Sequence, residues 1–122
     1  MDKKGIFINL SNHPSSAWDE AQLEAARTYG EIVDMVFPPV PPEADHDEVN
    51  CLAEKYVGKI AKLAREAKVT VHVMGEMTFT YAVVSRLKAM GIACVASTTE
   101  RIVVEADGKR TYTFRFSRFR EY

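Results

Sequence analysis

The chain has 122 residues, 47% of them apolar and 27% charged, enough for one domain with its own core and ordinary for a globular protein. Its net charge of −1 excludes bulk attraction to duplex nucleic acid or to an anionic membrane, so a nucleotide would have to be held by a local site. No apolar run approaches the ~20 residues of a membrane span, and Met1-Asp2-Lys3-Lys4 precedes only a strand-length run rather than a signal peptide, so the expected location is the cytoplasm.

Gly5-Ile6-Phe7-Ile8-Asn9-Leu10 reads as a central parallel strand covered on both faces. It runs into Ser11-Asn12-His13-Pro14-Ser15-Ser16, which brings hydroxyls, an amide and an imidazole to the strand's carboxyl end, where open α/β sheets bind their ligands. Ser16 is placed to cap the next helix with Asp19 as its capping-box partner, so an anion-binding helix amino terminus is expected beside the strand tip. Residues 18–29 have helical apolar spacing and stop at Gly30, and residues 31–37 read as the second strand. Four prolines within residues 38–42 make a stiff loop that also holds His46, after which Asp45 or Asp47 caps a long helix. Its apolar stripe is Val49, Leu52, Ala53, Tyr56, Ile60, Leu63 and Ala64.

Val69-Thr70-Val71-His72-Val73-Met74 reads as the third strand, with His72 a satisfied histidine facing a helix or the surface. Gly75-Glu76-Met77-Thr78 ends that strand and opens a third helix, which closes at Gly91. Residues 92–96 form the fourth strand and end in Ser97-Thr98-Thr99-Glu100-Arg101. This segment offers either an arginine for bidentate phosphate binding or a turn whose charges pair at the surface. Residues 102–106 and 109–116 flank Asp107-Gly108, a strong hairpin signal, with Tyr112, Phe114 and Phe116 on one face. Phe119 breaks that alternation, so the strand ends or bulges near Ser117. The last fourteen residues carry Lys109, Arg110, Arg115, Arg118 and Arg120, read chiefly as part of a structural hairpin and alternatively as a phosphate-binding edge. Cys51 on a helix and Cys94 in a strand read as two buried free thiols, with no zinc-type spacing.

Alternating strands and helices followed by a hairpin give an α/β domain: a parallel sheet of about four strands in the order 2-1-3-4 flanked by helices, with an antiparallel hairpin behind it. Residues 1–100 make the core and 101–122 the hairpin and tail. The switch point between the first and third strands would bring together Ser11, Asn12, His13, Ser15, Ser16, Gly75, Glu76, Thr78, Ser97, Thr98, Thr99, Glu100 and Arg101. Neither GxGxxG, a P-loop nor GxSxG occurs.

The Ser-Asn-His-Pro-Ser loop, Gly-Glu-Met-Thr-Phe-Thr-Tyr, Ala-Ser-Thr-Thr-Glu-Arg-Ile-Val-Val-Glu and the ending Phe-Arg-Phe-Ser-Arg-Phe-Arg-Glu-Tyr together resemble small stand-alone CRISPR-associated proteins with a CARF-like (CRISPR-associated Rossmann) fold, found near type III CRISPR systems. The resemblance spans nearly the whole chain and is most specific after Ser97. It implies a homodimer that binds a cyclic oligoadenylate, cyclic tetra-adenylate first, and opens it as a ring nuclease. The implied reaction needs no metal or other cofactor: a ribose 2′-hydroxyl attacks the adjacent phosphodiester and leaves a 2′,3′-cyclic phosphate. His13 is then the candidate acid or base. Arg101, Thr98, Thr99 and helix amino termini are candidate donors to developing charge, and Glu76 or Glu100 would orient a ribose hydroxyl. The alternatives are a sensor or sequestering protein that binds without cutting, and an interaction subunit whose hairpin pairs with another sheet edge.

Overall fold

The computed structural model describes residues 3–122, so Met1 and Asp2, part of the signal-peptide reading, lie outside the described residues. The chain runs β1 (Gly5–Ser11), a short 3-10 turn (Ser15–Ala17), α1 (Glu20–Arg27), β2 (Glu31–Val36), α2 (His46–Ala64), β3 (Lys68–Met74), α3 (Met77–Ala89), β4 (Ala93–Ala106) and β5 (Lys109–Glu121). One five-stranded sheet has the order β2-β1-β3-β4-β5, parallel from β2 to β4 and antiparallel between β4 and β5. No helix among the described residues is long and apolar enough to cross a membrane.

Alternation along the central strands builds two unequal cores. Ile8 and Leu10 of β1 and Val69, Val71 and Val73 of β3 face α2 and α3, where Val49, Ala53, Ile60, Phe79, Val83 and Leu87 complete the larger core. Phe7 points the other way and meets Ala26 of α1, Val95 and Phe119. Of the stripe that the spacing predicts on the second helix, Val49, Ala53 and Ile60 are buried and Leu52, Tyr56 and Ala64 pack against the core, whereas Leu63 is exposed and Val57, outside that stripe, is buried; β1 is buried on both faces as a central strand should be. Cys94 is buried as expected, whereas Cys51 is exposed, because it sits on the solvent side of α2 beside the inward stripe.

Two boundaries differ from the sequence reading, and both move the site. First, residues 97–101 are not a turn. They lie inside a fourteen-residue β4 whose parallel pairing with β3 stops at His72↔Val95, while its antiparallel pairing with β5 continues to Ala106↔Lys109. The sheet is therefore five strands rather than four plus a separate hairpin, and the expected division at residue 100 falls within one strand. Hydroxyls and charges that resemble loop chemistry are equally suited to an exposed ribbon, where β-branched Thr98 and Thr99 favour extended backbone. The ribbon turns at Asp107 and Gly108, whose φ values of 53° and 74° are those of a two-residue hairpin turn matched to strand twist. The ladder shifts register between Thr98 and Thr99, skipping Ser117, which is the bulge the broken alternation predicts.

Second, Ser16 does not cap α1. Residues 15–17 close a 3-10 turn, Trp18 is extended, and Asp19 caps the helix by accepting from the Gln22 N–H at 2.8 Å. A carboxylate answers the free N–H groups and the positive helix end better than a hydroxyl does, so the chain itself fills the expected anion site. His46, expected in the loop, instead opens α2, which Asp45 caps through the Glu48 N–H.

Candidate functional site

A cleft of about 490 Å³ opens at the carboxyl ends of β1 and β3, on the side of the sheet covered by α1. Its walls come from the ends of two strands and the interior of a third: Ser11 at the end of β1 with Asn12 and His13, Met74 at the end of β3 with Gly75, and Ser97 and Thr99 within β4. Trp18 and Gln22 close the α1 side, and His72 forms part of the floor. Six of the residues that sequence reasoning grouped from separate segments, Ser11, Asn12, His13, Gly75, Ser97 and Thr99, thus share one cavity. The parallel register explains why: Ser11 lies opposite Met74, so the chain leaves β1 and β3 at the same height. Met74 holds the β4 wall, since its Sδ accepts from both the N–H and the Oγ of Ser97.

The other candidates are engaged elsewhere. The Glu76 carboxylate caps α3, accepting from the Thr78 N–H and hydroxyl and from the Phe79 N–H. The Thr78 hydroxyl and these backbone donors hold the Glu76 pKa below the usual range. Glu76 and Thr78 therefore satisfy one another at a helix start instead of facing the cleft. Ser15 donates from both N–H and Oγ to Asp34, and Ser16 is exposed in the 3-10 turn. Thr98 donates to the Arg118 carbonyl, and Glu100 pairs with Arg115 at 3.1 Å. The Arg101 guanidinium lies over the Tyr112 ring, 4.2 Å from its centroid. Alternation along β4 puts Arg101 on the same side as Ser97 and Thr99, about 7 Å beyond Thr99.

Beneath the cleft runs a hydrogen-bonded row that sequence reasoning missed. Asn9 Nδ2 donates to Asp34 Oδ1 at 2.8 Å and to the His13 carbonyl at 2.9 Å. Both partners only accept, so the orientation of the amide is fixed. Asn9 Oδ1 then accepts from Ser11 Oγ at 2.8 Å and from His72 Nδ1 at 2.9 Å. His72 must therefore carry its proton on Nδ1, an assignment made by the network. Its Nε2 is buried and has no hydrogen-bonding partner among the described residues.

His72 is only 2% exposed and lies among Phe7, Trp18 and Phe119, with Trp18 edge-on at 5.4 Å between ring centroids. Burial, and secondarily the charge of His13, push its pKa down to about 4, so Nε2 carries a lone pair at neutral pH. At Asp34, burial pushes upward, but the Ser15 hydroxyl, Asn9 and the Ser15 N–H outweigh it and leave the pKa lowered, with the carboxylate ionised. Asn9, Asp34 and His72 are each a polar residue with an apolar neighbour on both sides within its strand. That shared oddity was visible in the sequence, but only the register Asn9↔Asp34 and Asn9↔His72 makes the three neighbours. Among the described residues, no group of three His, Cys, Asp or Glu side chains is arranged to hold a metal.

The model of one protein family, described as Uncharacterized protein MJ1673 family, matches residues 5–120. No curated protein matches the chain.

Proposed function

We propose that this chain, which belongs to the Uncharacterized protein MJ1673 family, is a ring nuclease that binds a cyclic oligoadenylate and opens it by attack of a ribose 2′-hydroxyl on the adjacent phosphodiester. The observation that carries the reading is the meeting of Ser11, Asn12, His13, Gly75, Ser97 and Thr99 in one cleft at the β1/β3 tips. Hydroxyls and amides there can hold ribose and phosphate oxygens. Trp18 offers a stacking surface for a base. Farther along the same side of β4, Arg101 and Tyr112 supply a cation and a ring for a ligand larger than the cleft. His13, exposed at the rim, is the proton donor to the departing 5′-oxygen.

A rotationally symmetric ring matches a two-fold assembly, so the active form in this reading is a homodimer that presents each wall twice. The projecting ribbon leaves Val103, Tyr112 and Phe114 exposed along one face, a surface that a second copy would cover. The biological role that follows is removal of a second messenger in type III CRISPR signalling, in the cytoplasm.

Cyclic tetra-adenylate incubated with the purified protein tests the reading by calorimetry and by chromatography of the products. The expected result is saturable binding and a linear product ending in a 2′,3′-cyclic phosphate. Neither binding nor product would overturn it, and tight binding without product would replace the nuclease with the sensor reading. His13→Ala is expected to abolish cleavage while retaining binding.

A further inference from the structure

His72 Nε2 is a polar atom that the fold orients with care and then leaves unused. Three strands cooperate in the orientation. Asp34 on β2 holds the Asn9 amide, and Asn9 on β1 fixes the His72 ring on β3. A histidine serving only as filler in this aromatic core would be replaceable by a phenylalanine, without the cost of a buried nitrogen that lacks a partner. The arrangement is instead that of a base held by a second group which a carboxylate orients.

Resting on the ring-nuclease reading, we infer that His72 Nε2 accepts the proton of the attacking 2′-hydroxyl, with Asn9 and Asp34 as the positioning residues that hold its ring. In this step the O2′–H bond breaks and its proton passes to Nε2. O2′ bonds to phosphorus, the P–O5′ bond breaks, and the departing O5′ takes a proton from the His13 imidazolium. The products are a 2′,3′-cyclic phosphate and a 5′-hydroxyl, and the two histidines return to their starting states by exchange with solvent. The developing imidazolium is stabilised through Asn9 by the Asp34 carboxylate. Trp18 covers His72 edge-on from an extended residue outside the helix.

The test pairs a structural readout with kinetics on the full chain and cyclic tetra-adenylate. Nitrogen-15 NMR of the free protein at neutral pH is expected to show His72 protonated on Nδ1 and bare on Nε2. His72→Gln is expected to lose about a hundredfold or more in kcat with binding retained. Asp34→Asn, at an exposed position, is expected to lose about tenfold in kcat with KM little changed, and to move the acidic limb of the kcat–pH profile to lower pH. A His72 protonated on Nε2, a folded His72→Gln variant with undiminished kcat, or an Asp34→Asn variant with an unmoved profile overturns the assignment while leaving the ring nuclease in place. A wild-type protein inert toward cyclic tetra-adenylate overturns both, so the two failures are distinguishable.

Discussion

Gly75 lets the Phe37 ring pack against backbone where β3 ends: a Cβ at position 75 would overlap that ring. Phe37 cannot easily yield, because it is buried and meets Phe79 edge-on at 5.1 Å between centroids. Gly75→Ala is therefore expected to cost about 1–3 kcal/mol by overpacking, read as a lower urea midpoint. Phe37→Leu in the same chain should recover part of the loss, because the two positions share one space. Equal midpoints for wild type and Gly75→Ala would show that the close approach is not needed.

The depressed pKa of His72 fixes the sign of a stability change with pH. Its folded value is about 4 against an ordinary 6.5, so between those limits the unfolded chain binds more protons than the folded one. Stability is then full above about pH 6.5 and declines as pH falls toward 4, by roughly 3 kcal/mol in all. Urea midpoints between pH 7.5 and 4.5 should follow that slope, and His72→Gln should flatten it. Asp34 and Glu76, whose pKa values are lowered carboxylate values, contribute losses only further into acid. An unchanged slope in the variant would show that other groups cause it.

What the sequence disclosed and what it hid divide along physical lines. Local signals were sufficient where one element decides its own shape: the Asp107-Gly108 turn, the Gly91 stop and the buried β1 were all legible. The bulge beside Ser117 was legible too, because Phe119 must reach Phe7, at 4.9 Å between centroids. Signals failed where two elements share a decision. Thr98 to Arg101 carry loop-like side chains, yet pairing with β5 makes them strand. The Asp34, Asn9 and His72 row requires three registers to be known together, and no spacing within one segment encodes that.

Glu76 illustrates how a candidate ligand residue can be committed to the fold. Both carboxylate oxygens accept hydrogen bonds at the start of α3, including 3.0 Å from the Thr78 N–H and 2.8 Å from the Phe79 N–H. Glu76→Ala leaves those donors to water and is expected to cost about 1 kcal/mol, whereas Glu76→Asp keeps a good cap and most of the stability. The contribution is present above the ordinary carboxylate pKa and is lost as pH falls through the lowered folded value. Denaturation of the two variants at neutral pH checks the order. If Glu76→Ala is as stable as wild type, the cap contributes nothing.

The basic tail is the remaining choice between structure and ligand. Phe119 is buried against Phe7 and Phe116, the Tyr122 hydroxyl donates to the Val73 carbonyl, and the Tyr122 N–H donates to the Cys94 carbonyl. Phe119→Ala should therefore cost about 3–5 kcal/mol, a large share of the roughly 5–15 kcal/mol that holds a domain of this kind folded. Arg118 and Arg120 are exposed, so replacing their side chains by alanine should shift stability by no more than about 0.5 kcal/mol. Truncation after Ser117 removes Phe119 and Tyr122 together and strips β4 of its partners from Val95 to Thr98, so the chain should unfold before any ligand chemistry is altered. Thermal melts of the three proteins give the ranking. If the arginine substitutions weaken cyclic tetra-adenylate binding while Phe119→Ala leaves the melt unchanged, the tail is a phosphate-binding edge instead of an anchor.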